Sequence, residues 1–162
     1  MRIPIRAIPA VGAFALALAT AGAAYTATTG FLRTTPDGVD WVTMAGEAGR
    51  VGMKQVVIYG DPTKPGLYIV RNKFPPGVMS TPHSHSDDRI GIVLKGTWWT
   101  GTDRVIDRSK TVPVGIGGTM IHPKGEVHYD GAREEEVIVQ IVGFGPTAKT
   151  PVTPGGPDFV KQ

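Results

Sequence analysis

All four histidines of the chain fall between positions 83 and 128, in two groups: His83 with His85, and His122 with His128. Residues i and i+2 of an extended segment point to the same face. His83 and His85 therefore present two imidazoles together, and neutral imidazole is a ligand for Zn, Fe, Cu, Ni or Mn. Taken alone, a His-x-His pair in a stretch rich in Ser, Thr and Asp also describes two exposed loop histidines. His122 and His128 bracket Pro123-Lys124-Gly125, and that turn prevents a parity argument between them. On a strand ending at His122, this residue would share a face with Met120; it is read as a non-ligand: a support to a ligand, a proton shuttle or an exposed side chain.

Other chemistries lack their residues. With no cysteine, the chain has no disulfide scaffold, thiolate metal site or Cys nucleophile. No Gly-x-Ser-x-Gly elbow, phosphate-binding Gly-rich loop, His-Glu-x-x-His or dinucleotide fingerprint occurs. The paired acids Asp87-Asp88 and Glu134-Glu135-Glu136 lie in turn-like, solvated stretches. Lys plus Arg number 17 against 14 acids, but they are scattered, with no run of five, so no nucleic-acid site is expected.

Strands must position the histidines. From Lys54 onward short β-prone runs alternate with Gly and Pro turns: 55–59, 67–73, 90–95, 97–100, 111–114, 119–121, 127–129 and 136–142. A first run covers 39–44, and 90–95 with 97–100 reads as a hairpin about Gly96. No run carries a helical period, which predicts an all-β sandwich or barrel. Run 136–142 is apolar on both parities, as in a central strand buried on both faces. Gln140 is its one polar residue, expected either to point inward and orient a ligand or to cap a neighbouring strand. Of the consecutive Trp98 and Trp99 one faces in, and the outward one is a candidate for an interface.

The ends read differently. Met-Arg-Ile-Pro-Ile-Arg, an uncharged Ala- and Leu-rich stretch and Ala21-Gly22-Ala23 make the three-part pattern of a secretory signal, cleaved after Ala23. The stretch is short of the roughly 20 apolar residues of a membrane span, so no stable membrane insertion is expected. Cleavage takes two of the 17 basic residues, Arg2 and Arg6, and no acid, so 15 stand against 14. The expected organisation is a signal over 1–23, a segment 24–37, a β domain over 38–145 and a Pro- and Gly-rich tail over 146–162, extended or disordered. The location is then periplasmic or secreted.

The stretch through Gly77, His83, His85 and Gly96 resembles the first motif of the cupin superfamily, a Gly, a His-x-His, a Glu and a second Gly. Gly117, Pro123, Gly125 and His128 match the second motif, which ends in Asn; here that place is Ala132. The resemblance implies a double-stranded β-helix (jelly-roll) barrel. It also implies a divalent transition metal, one of Fe, Mn, Zn, Ni or Cu, held by His83, His85 and His128. Where cupins carry the Glu ligand this chain has Arg89, which cannot ligate. Arg89 is then either an anchor for an anionic substrate or the partner of Asp87, Asp88 or the 134–136 acids; Asp87 or Asp88 swinging in as a replacement ligand is a third alternative. The function implied is that of an oxygenase-like enzyme acting on a small molecule such as a diketone or enol, with Arg89 and Gln140 as candidate catalytic residues. The alternatives are a non-catalytic ligand or metal binder and a cupin isomerase or lyase. A homodimer is expected from the resemblance alone.

Overall fold

A computed structural model describes residues 30–43 and 52–162. The expected signal with its cleavage point, residues 24–29 and the end of run 39–44 lie outside the described residues. Thirteen strands carry the described fold: β1 (Val42–Thr43), β2 (Lys54–Tyr59), β3 (Gly66–Phe74), β4 (Val78–Ser80), β5 (His83–His85), β6 (Arg89–Lys95), β7 (Trp98–Gly101), β8 (Val112–Val114), β9 (Thr119–His122), β10 (Tyr129–Gly131), β11 (Val137–Gly145), β12 (Lys149–Pro151) and β13 (Phe159–Lys161). One 3-10 turn, Arg108–Lys110, is capped by Asp107, whose side chain accepts from the Ser109 amide. No helix among the described residues is long and apolar enough to cross a membrane.

The strands form a six-stranded sheet in the order β1-β2-β3-β11-β6-β9, a five-stranded sheet β13-β4-β10-β7-β8 and a two-stranded ribbon β12-β5. Every pairing is antiparallel. Strand β11 explains its own composition. It pairs with β3 along nine residues and with β6 on its other edge, and Val137, Ile138 and Val139 are buried on both parities. Its inward residues Val139 and Ile141 pack with Val70, Phe74, Val93 and Trp98 into the core between the sheets. Burying each such side chain contributes about 1.5–3 kcal/mol.

Two expectations change. Residues 90–95 and 97–100 do not form a hairpin: β6 pairs with β11 and β9, whereas β7 pairs with β10 and β8. Gly96 carries the chain from one sheet to the other with φ +73°, and a Cβ there would stand 2.4 Å from the Glu136 carbonyl oxygen. A tight turn between β-prone runs is common to a hairpin and a sheet crossing, so composition did not separate them. Residues 146–162, expected as a tail outside the domain, contain β12 and β13 instead. β13 pairs with β4 and buries Phe159 edge-on to Phe74 in the core. Its few apolar residues among prolines gave no periodic signal, but one buried aromatic ring is enough to dock it.

Candidate metal centre

The ribbon places the first two histidines. β12 pairs with β5 so that Lys149 opposes His85 and Pro151 opposes His83. On the other edge, the His83 amide donates to the His128 carbonyl at 3.0 Å and the His128 amide to the His83 carbonyl at 2.9 Å. His83 and His128 are thus directly opposed in an antiparallel bridge, and their rings lie 4.5 Å apart, centroid to centroid. His85 shares their face, with its ring 4.9 Å from that of His83. Gly125, at φ +79°, turns the chain back so that its amide reaches the His85 carbonyl at 2.9 Å. One ring nitrogen from each of His83, His85 and His128 falls within 4.8 Å of the others, the spacing a single ion needs.

Hydrogen bonds assign the protons on these rings. A backbone carbonyl only accepts, so a ring nitrogen bonded to one carries the proton. His83 Nδ1 donates to the Thr81 carbonyl at 2.7 Å, and His128 Nδ1 donates to the Glu126 carbonyl at 3.2 Å. In both neutral rings Nε2 carries no proton, the state in which imidazole ligates, although the His128 Nε2 lone pair accepts a long bond from Arg89 at 3.5 Å. All four histidines are held neutral, with burial the leading cause: His83 falls to about 3, His122 to about 2, and His85 and His128 are also pushed down. The donor set therefore fits a divalent transition ion.

Arg89 stands directly across from His122 on paired strands β6 and β9. Its Nη2 lies 3.2 Å from His122 Nδ1 and 3.5 Å from His128 Nε2. Guanidinium only donates, so His122 Nδ1 accepts and its proton sits on Nε2, the reverse of His83 and His128. None of the acids that sequence offered Arg89 pairs with it. Asp87 accepts from the Tyr68 hydroxyl at 2.8 Å and from Thr147 Oγ1; Asp88 accepts from the Lys124 amide. Glu135 accepts from Thr97, Glu136 pairs with Lys95 and Glu134 with Arg108. The same bonds hold Asp87 and Asp88 away from a ligand role. Arg89 is only 9 % exposed, and burial pushes the ionisation of its guanidinium down.

Three other placements were not legible in the sequence. His122 is buried with its ring stacked 3.9 Å from His128, and with His128 and Asp130 it forms a second group able to hold an ion. The buried carboxylate Asp130 falls two residues beyond His128, inside the second motif, without matching any motif position. Of the two readings of Gln140, the structure favours the second: Val139 and Ile141 line the cavity, while Gln140 Oε1 accepts from Arg71 Nε of the neighbouring strand β3 at 3.1 Å on the opposite face. Arg71 is fixed there by the Thr35 carbonyl and Thr34 Oγ1. Trp98 faces in, buried to 1 % exposure; Trp99 faces out, with the Arg133 guanidinium 3.7 Å over its ring. The cavity holds about 280 Å³ and reaches from His83, His85, Arg89 and His122 to an apolar wall of Phe74 and Ile141.

No protein-family model matches the sequence, and no curated protein matches it. Solved structures do. The polyketide cyclase RemF from Streptomyces resistomycificus superposes with a TM-score of 0.62 at 16 % identity, over 79 % of this chain and 89 % of that one. KdgF from Halomonas sp. gives 0.51 at 22 % identity, over 71 % and 90 %. The DMSP lyase DddQ from Ruegeria pomeroyi gives 0.55 at 18 % identity over 64 % of this chain and 53 % of that one, so the chain spans about half of DddQ. A cupin-like protein from Thermotoga maritima gives 0.51 at 20 % identity, over 63 % of this chain and 79 % of that one, and with it the chain shares an all-β, cupin-like jelly-roll fold. Within that fold this chain is one whose barrel carries a three-histidine group beside a buried arginine.

Proposed function

We propose that the chain is an exported, metal-dependent enzyme that activates a small oxygen-bearing organic substrate, in an oxygenase-like reaction, at a centre held by His83, His85 and His128. The observation that carries this reading is the pair of bonds from His83 and His128 Nδ1 to backbone carbonyls, which leave proton-free Nε2 atoms in one group with His85. Three protein ligands leave positions on an ion open to substrate. A divalent Fe, Mn, Zn, Ni or Cu ion bound there would supply Lewis-acid polarisation of a chelated oxygen. The chain's own residues do the rest: Arg89 brings positive charge to the same end of the cavity, and Phe74, Val139 and Ile141 give it an apolar wall. Export rests on the pattern of residues 1–23.

Elemental analysis of the purified mature chain is expected to find about one transition ion per chain. Oxygen uptake with a panel of 1,3-diketones and phenolic enols tests the reaction. The lyase and the cyclase among the similar folds make elimination and cyclisation the next reactions to assay. A stoichiometric ion without turnover would move the reading to a ligand or metal carrier, and absence of any ion would overturn it. N-terminal sequencing of the exported protein checks the location: an intact Met1 would sink the cleavage at Ala23.

A further inference from the structure

The histidine end of the cavity holds more donors than it can satisfy. Arg89 Nε, Trp98 Nε1 and His122 Nε2 are buried and meet no hydrogen-bond partner among the described residues. Each carries a proton: guanidinium and indole nitrogens only donate, and His122 Nε2 keeps its hydrogen because Nδ1 accepts from Arg89. All three residues line the cavity, and the rings of Trp98 and His122 lie 5.6 Å apart. A buried donor without an acceptor is costly, and Asp130 and Asp87 offset the Arg89 charge only through space. No carboxylate oxygen lies within the 4.0 Å of an ion pair from Arg89 among the described residues. Such a cluster of buried donors marks a place where an acceptor from outside the chain, a ligand or a water, completes the hydrogen bonds.

We propose that Arg89, His122 and Trp98 form a carboxylate-binding subsite beside the metal centre, and that the substrate is a small monocarboxylic acid carrying a second oxygen for the ion. Charge selects the anion. Imidazoles are neutral ligands, and a cation stands at the usual Glu place, so none of the three ligands brings negative charge to an ion. The guanidinium fork and two neutral donors suit a monoanion, whereas a phosphate dianion would meet the buried Asp130 carboxylate that lines the same cavity. Position selects the second donor: Arg89 Nη2 is 3.5 Å from His128 Nε2, so an acid held on Arg89 lies against the ligand nitrogen. The place of the second oxygen rests on the proposed metal centre; the carboxylate subsite does not.

Metal-free protein separates the two. Glycolate and its neutral analogue glycolamide are the probes, read by the indole N–H resonance that disappears in Trp98→Phe and by melting temperature. Glycolate is expected to shift that resonance and raise the melting temperature; glycolamide is expected to do neither. Arg89→Met should weaken glycolate binding about tenfold or more, with Arg89→Lys intermediate because it keeps charge and loses the fork. His122→Phe should weaken it less. Equal responses to the two probes, a larger response to inorganic phosphate, or unchanged affinity in Arg89→Met would each overturn the subsite. The resonance shift uses wild-type protein for binding, so the test survives poor folding of an Arg89 variant. Stoichiometric metal with no glycolate response sinks the subsite alone. A glycolate response in a chain that binds no metal upholds the subsite and sinks the metal centre.

Discussion

The two walls at the histidine end of the cavity use the same residue type to opposite ends. On one wall His83 and His128 each give the Nδ1 proton to the carbonyl two residues earlier, Thr81 and Glu126. On the other, His122 turns Nδ1 to Arg89 and keeps its proton on Nε2. The supports differ as well. His83 and His85 ride on a two-stranded ribbon of three-residue strands, whereas Arg89 and His122 are opposed within the six-stranded sheet. What faces Nδ1 decides whether an imidazole offers a lone pair or a proton, and residue type alone does not.

The sharpest way to break this contrast is to remove one histidine from each wall. His128→Ala is expected to lose bound metal by orders of magnitude in elemental analysis, while His122→Ala keeps it near stoichiometry. Equal loss in both would move the ion to the group of His122, His128 and Asp130. Acid should act on both walls together. The ordinary histidine value is 6.5, and His83 and His122 are lowered to about 3 and about 2 in the fold. Below 6.5 the unfolded chain takes up protons that the folded chain refuses, so stability is full above that pH and falls as pH drops towards 3. Urea midpoints of metal-free protein across that range check the sign; a midpoint that rises on acidification contradicts it.

Arg89→Glu converts the donor wall into a ligand wall. It places a carboxylate opposite His122 and removes a cation from His128, so metal affinity should rise about tenfold in chelator competition while the glycolate response vanishes. The smallest effect on metal binding is expected from Gly91→Ala. A Cβ at Gly91 would stand 2.6 Å from Trp98 Cη2 and 3.2 Å from Ile141 Cδ1, which forces the indole to move. The cost should be about 1–3 kcal/mol in urea unfolding, with metal content unchanged and the Trp98 indole response altered.

Much of the ligand wall was legible because it is local. His83 and His85 share a face by parity, and the motif glycines mark the turns that return His128 to them. The identity of Arg89 at the Glu place was equally plain. The donor wall was not, because it is made by register. Arg89 meets His122 only through the pairing of β6 with β9, thirty-three residues apart in sequence, and no local pattern encodes that alignment. The side taken by Gln140 was open for a related reason. A strand apolar on both parities carries no internal mark of which parity faces in; here the pairing of β11 between β3 and β6, with Arg71 waiting outside, decides it. The strands themselves were mostly visible, except where they are three residues long and flanked by proline, as β12 is.

The ribbon has a consequence for the order in which the centre is completed. β5 is joined to β12 across a separation of more than sixty residues, and each strand has only three residues. So short and non-local a pairing closes late in folding and opens first in the native state. The amides of Ser86 and Val152, which bond across it to Ala148 and Pro82, should exchange with deuterium well before those of β11. Each such opening would loosen His83 and His85 while Arg89 and His122 stay in the large sheet, and would give an ion a way in. Loading with metal should then slow exchange in the ribbon and leave the large sheet untouched.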